Sequence, residues 1–167
     1  SEIDSEAINH AKTILTANPT HKKNIKLRFQ SSADHIFKDI IKAGEKFDFT
    51  MCNPPYYASL KEANNASDRK VRNLNLNKEK KGHAPINESK SSNFGGLKAE
   101  LWCPGGESAF ITKMIKESSE VKEQCRWFST LVSNKTHLPS LNEKLQSVKG
   151  VDIRTIEMQQ GQKISHL

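Results

Sequence analysis

A run of four residues, Asn53-Pro54-Pro55-Tyr56, carries the groups that chemistry on a planar amine requires. Such an amine is a poor nucleophile, because its lone pair is delocalised into the ring that bears it. Two acceptors facing its two N–H bonds would hold it and favour the positive charge that develops on nitrogen during attack. The side-chain carbonyl of Asn53 and the backbone carbonyl of Pro54 are candidates for these acceptors. The prolines stiffen the run, and the ring of Tyr56 offers a base a stacking contact worth about 1–3 kcal/mol.

An Asn-Pro-Pro-Tyr run is also compatible with a turn around a buried aromatic residue or with a polyproline ligand, since short motifs match by chance. The position of the run decides between these interpretations. It directly follows residues 47–52, whose apolar pattern is typical of a strand. In a doubly wound sheet, ligands bind at the carboxyl ends of the strands. The position therefore favours a functional site.

An acidic pair, Glu2 and Asp4, lies at the end of the predicted opening strand. A carboxylate in that place can accept hydrogen bonds from both hydroxyls of an adenosine ribose. An ordinary helix cap with a first-turn charge explains Asp4 equally well. The pair alone leaves both interpretations open.

Strands and helices must alternate to position these residues. Apolar spacing predicts strands near 2–4, 25–29, 47–52, 126–132 and 151–158, and helices near 7–15, 36–41, 110–121 and 138–148. This order predicts an α/β fold with a mostly parallel sheet and helices on both faces. Residues 58–100 break the pattern, and we expect a basic, partly mobile insertion there.

Basic side chains in this insertion are candidates for gripping phosphates, above all Arg69, Lys70 and Arg72. A solvated surface loop is the alternative, and it is at least as good an explanation of Lys78, Lys80 and Lys81. The whole chain of 167 residues carries a net charge of +7, which favours a polyanionic partner.

The bulk composition narrows the class of protein. A chain of 167 residues suits one domain, and it contains no apolar run long enough to cross a bilayer. The three cysteines and six histidines lack the spacing of metal ligands or of a disulfide framework. We therefore expect a cytoplasmic protein that binds neither a metal nor a membrane.

Three further segments extend the motif into a family pattern. Class I methyltransferases that modify planar amines carry (Asn/Asp)-Pro-Pro-(Tyr/Phe/Trp) after their fourth strand, and residues 53–56 match it. The stretch at 69–76 and the block at 93–111, which contains Cys103-Pro104-Gly105-Gly106-Glu107, are more specific, and residues 126–128 and 160–163 continue the match. Over nearly its whole length the chain resembles the RlmF-type family of 23S ribosomal RNA adenine-N6 methyltransferases, which is related to the human methyltransferase-like protein 16 family.

The resemblance implies a Rossmann-like class I methyltransferase fold with S-adenosyl-L-methionine as methyl donor. It implies an adenine of 23S ribosomal RNA as acceptor, either in naked RNA or in a large-subunit assembly intermediate. The catalytic loop would be Asn53, Pro54, Pro55 and Tyr56, with Glu2 on the cofactor ribose and Asn53 also facing the cofactor. The Gly-Gly-Glu block would lie near the substrate, although Glu107 also fits a simple first-turn helix charge.

The sequence departs from that family at both ends. Relatives place a first strand and a glycine-rich loop before the position of Ser1, and a strand after the Gln-Gly-Gln-Lys segment at 160–163. We therefore expect a single truncated domain that lacks these strands, binds S-adenosylmethionine poorly and is inactive by itself. Other possible functions are methyl transfer to a glutamine amide or to a DNA adenine, and a non-catalytic RNA-binding domain.

Overall fold

A computed structural model describes residues 1–79, 98–161 and 163–167. The chain divides into two units: a first unit of Ser1–Pro54 with Ile111–Leu167, and a second unit of Pro55–Phe110. The helices are α1 (Ser5–Ala17), α2 (Pro19–Lys22), α3 (Leu60–Glu79), α4 (Lys98–Leu101), α5 (Gly106–Glu120) and α6 (Leu138–Gln146). The strands are β1 (Phe47–Cys52), β2 (Cys125–Thr130), β3 (Glu157–Gln160) and β4 (Lys163–His166).

The first unit contains a parallel strand pair. β1 pairs with β2 in a register that sets Phe47 opposite Cys125 and Cys52 opposite Thr130. Both strands were predicted from the sequence, and both are confirmed. Because the pair is parallel, the carboxyl ends of β1 and β2 lie at one edge.

The predicted helices α1, α5 and α6 are also confirmed. Asp4 caps α1, since its Oδ1 accepts from the backbone N–H of Glu6 at 2.7 Å and of Ala7 at 3.1 Å. The apolar stripes of α5 and α6 meet in a buried cluster. This cluster consists of Ile111, Ile115, Val132 and Leu141.

The predicted strand at 25–29 is reduced to one parallel bridge between Phe29 and Glu2. Two backbone hydrogen bonds make this bridge, Glu2 N to Arg28 O at 3.0 Å and Gln30 N to Glu2 O at 2.8 Å.

The helix predicted at 36–41 was wrong, because the segment forms a turn. Ile40 N and Ile41 N both donate to the carbonyl of Phe37. Asp39, which lies between Phe37 and Ile40, has φ 66°. This left-handed conformation interrupts a right-handed helix.

The strand predicted at 151–158 begins only at Glu157 and belongs to a hairpin. β3 and β4 are antiparallel, with Gly161 at φ 60° in the connection between them. His166 of β4 forms an antiparallel bridge with Val132, two residues past the end of β2. A short strand thus follows the Gln-Gly-Gln-Lys segment, where none was expected in this chain.

The first half of the predicted insertion is the 20-residue helix α3 and not an extended loop. Its start has a physical cause in the sequence Ser59-Leu60-Lys61-Glu62. Ser59 Oγ accepts from Glu62 N at 3.2 Å, while Glu62 Oε2 accepts from Ala58 N at 2.9 Å. This is a variant of the capping box, a signal that the sequence analysis overlooked. Residues 80–97 of the insertion, with Lys80 and Lys81, lie outside the described residues, and its mobility stays a prediction.

Apolar side chains on β1 are exposed. Phe49 is 62% and Met51 is 79% accessible, and β1 pairs only with β2 within the described residues. In the described part of the chain, no helix has the length and apolar character needed to span a membrane.

Candidate functional site

Asn53 lies where the sequence predicted it, directly after the last residue of β1. The edge is ordered there because Leu131 N, just past β2, donates to the carbonyl of Cys52 at 2.9 Å. The side chain of Asn53 is exposed, whereas Pro54 is buried below 2%. A buried proline next to an exposed asparagine gives a loop with a fixed backbone and a solvent-exposed amide side chain.

The thiol of Cys52 is unsuited to act as a nucleophile at this edge. Burial raises its pKa, and the hydrogen bond with Thr130 offsets only part of that effect. A thiol with a raised pKa stays protonated at neutral pH. Cys52 therefore offers no thiolate nucleophile at this edge, which leaves hydrogen-bonding groups such as the Asn53 amide for contact with a ligand.

In the second unit, Pro55 is buried and Tyr56 is half-buried. The backbone after Tyr56 is held by a parallel bridge between Tyr57 and Trp102. Its two hydrogen bonds are Tyr57 N to Leu101 O and Cys103 N to Tyr57 O, both 3.0 Å. The Asn-Pro-Pro-Tyr run is thus followed at once by an anchored backbone.

The Gly-Gly-Glu block begins α5, and both glycines are required by geometry. Gly105 has φ 80°, and a Cβ there would come within 2.6 Å of the Ala109 Cβ. Gly106 has φ 64°, and its Cβ would meet Ala58 N at 3.2 Å and Tyr56 O at 3.4 Å. Gly106 therefore lets the start of α5 approach the backbone that carries Tyr56.

Glu107 is not a solvated helix charge, because its side chain is only 1% exposed. It lies in the first turn of α5, where the helix dipole favours a carboxylate, and it has an interaction partner within the chain. The sequence left the role of Glu107 open between a helix charge and a site residue. Its burial argues against a helix charge that faces solvent.

Glu2 has one carboxylate oxygen engaged by the backbone. Its Oε1 accepts from Ile3 N at 2.7 Å and from Asp4 N at 2.8 Å, which fixes the direction of the half-buried side chain. Its Oε2 has no hydrogen-bond partner among the residues that the structure describes. The arrangement leaves one oriented acceptor, and the role of Glu2 as a ribose ligand stays a prediction.

Residues 31–41, which we call the pinned loop, follow the Phe29 bridge and are held by a distant carboxylate. The Glu117 side chain, 7% exposed, accepts from the backbone N–H of Ile36, Phe37 and Lys38 at 2.7–3.1 Å. Burial by itself raises the pKa of Glu117, but these three N–H groups, with His35 at 3.6 Å, hold the pKa below its usual value. Sequence reasoning missed Glu117, since nothing in its local pattern distinguishes it from a surface glutamate.

Gln30 and Arg28 fix the base of the pinned loop. The buried Gln30 amide donates to Lys38 O at 2.9 Å and accepts from Ser32 N at 3.0 Å. Arg28 donates to the carbonyl of Ile40 and forms a two-pronged pair with Glu45 at 2.5 and 2.6 Å. The hydrogen bond from Arg28 lowers the pKa of Glu45 to about 2.

The predicted phosphate contacts lie on α3. Arg69 and Arg72 are exposed and three residues apart, so their side chains lie on the same helix face. Lys70 and Lys78 are on the same helix. The structure thus groups the two arginines on one helix face, and their role as phosphate contacts stays a prediction.

The structure brings some predicted residues together and leaves others separate. Asn53 and Pro54 lie at the shared edge of β1 and β2, and Glu2 lies in the same unit. No hydrogen bond joins Glu2 to Asn53 within the described chain. Among the described residues, no group of three or more His, Cys, Asp or Glu side chains is placed to hold a metal ion.

Comparison with known proteins gives consistent matches. A family model described as RNA methyltransferase matches residues 1–167. The ribosomal RNA large subunit methyltransferase F of Photobacterium profundum is 52% identical over 175 residues, which cover 100% of this chain and 52% of that protein. The protein of the same name from Shewanella loihica is 44% identical, over 100% of this chain and 42% of its own length. The chain spans about half the length of the curated relatives it matches.

Solved structures show the same fold. The hMettl16 catalytic domain in complex with the MAT2A 3′UTR hairpin 1 matches with a TM-score of 0.72 and 26% identity, over 98% of this chain and 51% of that one. The N-terminal domain of human METTL16 in complex with SAH matches with a TM-score of 0.62 and 22% identity, over 98% and 47%. The predicted α/β, Rossmann-like methyltransferase fold and the predicted family resemblance are confirmed.

Proposed function

The chain belongs to the RNA methyltransferase family, and on that premise we propose that it helps transfer a methyl group from S-adenosylmethionine to N6 of an adenine in 23S ribosomal RNA. The observation that carries the proposal is the Asn53-Pro54-Pro55-Tyr56 loop, placed directly after a strand of a parallel pair. Two relatives named ribosomal RNA large subunit methyltransferase F support the choice of RNA.

The loop provides acceptors for the target amine. The Asn53 side-chain oxygen and the Pro54 carbonyl would each accept one N–H of the adenine amine, which orients the nitrogen lone pair toward the methyl group. These dipoles also stabilise the positive charge that nitrogen gains during transfer. The proton can leave afterwards, so the loop needs no strong base. Pro54 and Pro55 are buried, which keeps the loop from rearranging when the base enters.

Tyr56 would provide the stacking surface for the base. Its ring is half-buried, and the neighbouring backbone is anchored by the Tyr57–Trp102 bridge. A base swung out of an RNA helix loses its own stacking, and an aromatic side chain replaces part of that energy. Arg69 and Arg72, exposed on one face of α3, are proposed to hold the flanking phosphates, with Lys70 as a further cation.

The residues present fit S-adenosylmethionine at one point. Glu2 has one oxygen fixed by the backbone and a second oxygen available, which suits the hydroxyls of an adenosine ribose. Asn53, at the carboxyl end of β1, would also face the cofactor. When bound, S-adenosylmethionine supplies the methyl group as an electrophile. The neighbouring human METTL16 domain crystallised with SAH supports this assignment.

The test is an Asn53→Ala substitution in the protein as expressed from its own gene. Loss of one acceptor for developing charge is expected to lower kcat on the order of 100-fold, while affinity for the RNA stays close to that of the parent. Methyl transfer would be followed by mass spectrometry of N6-methyladenine in 23S ribosomal RNA. Asn24→Ala, a change to an exposed asparagine outside the loop, is the matched control.

Two results would overturn the proposal. One is an Asn53→Ala protein that methylates at the parent rate. The other is an unchanged N6-methyladenine content in 23S ribosomal RNA from a strain that lacks the gene. Loss of RNA binding together with methylation would instead assign Asn53 to RNA affinity.

A further inference from the structure

The first unit contains a hollow of about 490 Å³ between the carboxyl-terminal ends of α5 and α6. Four lysines line it together with apolar and hydroxyl side chains, and we call it the lysine hollow. These lysines are Lys116, Lys122, Lys144 and Lys149. They come from α5, from the turn before β2, from α6 and from the segment after α6, so the hollow is assembled by the fold.

No ion pair among the described residues neutralises the positive charge of the lysine hollow. All four lysines are exposed, and none forms an ion pair within the described residues. Lys113, earlier on α5, differs because it lies 3.9 Å from Asp34 and donates to Ala33 O at 3.0 Å. No acidic residue is among those that line the hollow. The concentrated positive charge favours an anionic ligand.

The donors available to such a ligand are ammonium groups. The hydroxyls of Ser119 and Ser147 are already used, since each donates to a carbonyl three residues earlier at 2.6 Å. The buried Ile115 and the half-buried Val148 also line the hollow. Ammonium groups act as point charges and suit the diffuse charge of a phosphodiester chain. Ile115 and Val148 could contact the sugar edges of such a chain without needing hydrogen bonds.

Helix dipoles alone do not account for the four lysines. A lysine in the last turn of a helix offsets the negative helix end, which explains Lys144 in α6. It does not explain why Lys122 and Lys149, outside both helices, converge on the same hollow. An external anion accounts for all four.

We propose that the lysine hollow binds the phosphate backbone of the RNA substrate as a second contact, distant from the methylated base. This inference rests on the proposed function, in which RNA is the acceptor. Lys122 precedes the amino end of β2. Asn53 follows the carboxyl end of β1, the strand that pairs with β2 in parallel. Six strand residues span roughly 20 Å. A folded RNA of more than one helical turn reaches across that length, so the hollow would select structured RNA over a short strand.

The test compares two double substitutions in the protein as expressed from its own gene. Lys116→Gln with Lys144→Gln removes two charges from the hollow, and Lys22→Gln with Lys23→Gln removes two exposed charges elsewhere. Binding of a fluorescent 23S ribosomal RNA transcript is measured over a range of KCl concentrations without S-adenosylmethionine. The hollow double should lower the slope of log Kd against log salt by about 1.5–2 and weaken binding about tenfold. The control double should change the slope by less than half as much.

Two further measurements complete the experiment: a double substitution that keeps both charges, and binding of an acidic peptide. Lys116→Arg with Lys144→Arg should keep the parent slope, which separates charge from folding, and thermal unfolding of each protein is measured in parallel. Equal slopes for the two Gln doubles, or parent-like RNA binding by the hollow double, would overturn the proposal. Decaglutamate binding that is lost in the hollow double while RNA binding persists would overturn it in favour of an acidic protein partner. RNA affinity is measured without methyl transfer. A failure of the Asn53→Ala methylation test can therefore be distinguished from a failure of the lysine hollow to bind RNA.

Discussion

The first unit contains the pinned loop, residues 31–41, and the chain leaves β1 through the proline loop, residues 53–56. Each follows a parallel backbone pairing, the first at the Phe29 bridge and the second at β1. The proline loop owes its stiffness to two buried prolines within its own sequence. The pinned loop is held by Glu117, about 80 residues later in the chain.

The two loops therefore differ in whether their order comes from their own residues or from a distant side chain. A loop stiffened by its own residues keeps its local shape when distant contacts change. A loop held by a remote carboxylate depends on the packing of the helix that carries it, here α5. The two loops should therefore respond differently to the same perturbation, and each experiment below measures that contrast.

The largest expected effect is that of Glu117→Ala. The substitution leaves the N–H groups of Ile36, Phe37 and Lys38 without their acceptor in a partly buried place. Unsatisfied buried donors cost about 1–3 kcal/mol each, partly recovered by water. We expect the free energy of unfolding to fall by about 2–4 kcal/mol in urea titrations with an unchanged m value.

Two variants sharpen this result. Glu117→Gln keeps one acceptor oxygen and should lose less stability than Glu117→Ala. Glu120→Ala, at an exposed position on the same helix, should change the free energy of unfolding by no more than about 0.5 kcal/mol. Equal effects of Glu117→Ala and Glu120→Ala would show that the carboxylate does not hold the loop.

A smaller effect is expected from Gly106→Ala, which acts beside the proline loop. An alanine at φ 64° costs about 1–2 kcal/mol, and its Cβ would lie 3.2 Å from Ala58 N. Gly150→Ala is a matched control, since Gly150 has φ 77° but nothing within 4 Å of its Cβ position. Both substitutions should lower the melting temperature, whereas only Gly106→Ala should lower kcat of methyl transfer, several-fold. Equal kcat values for the two proteins would contradict the assigned role of Gly106.

The sequence predicted those parts of the molecule whose order is local. β1, β2, α5 and α6 follow from apolar spacing, and the proline loop was predicted from its four residues together with their position after a predicted strand. Residues 36–41 of the pinned loop were predicted as a helix because Ile36, Phe37 and Ile40 have helical spacing. That spacing indicates neither the positive φ of Asp39 nor the hydrogen bonds from the loop to Glu117. α3 was missed for a different reason, because its Ser59–Glu62 cap was overlooked among polar residues. The lysine hollow has no sequence signal, since its lysines come from separate elements.

The smallest expected effect is the response of the two loops to acid. The pKa of Glu45 falls from its ordinary 4.5 to about 2 in the folded protein, mainly through the hydrogen bond from Arg28. A lowered pKa means that the pair stabilises the fold above about pH 4.5 and that this contribution is lost as the pH falls toward 2. The pKa of Glu117 is also lowered, so its contribution is lost in the same direction. The proline loop has no carboxylate of its own.

Acid should therefore loosen the pinned loop before the proline loop. Amide hydrogen exchange at about pH 6 and about pH 3, corrected for the intrinsic pH dependence, should show lost protection at Ile36, Phe37 and Lys38. Protection at Leu131 N, which donates to Cys52 at the base of the proline loop, should persist. Glu45→Gln should abolish the part of the acid response that comes from the Arg28 pair, and Glu120→Gln should not. Equal loss of protection at both places would mean that the loops share one source of order, because acid would then be acting on the whole unit through its packing.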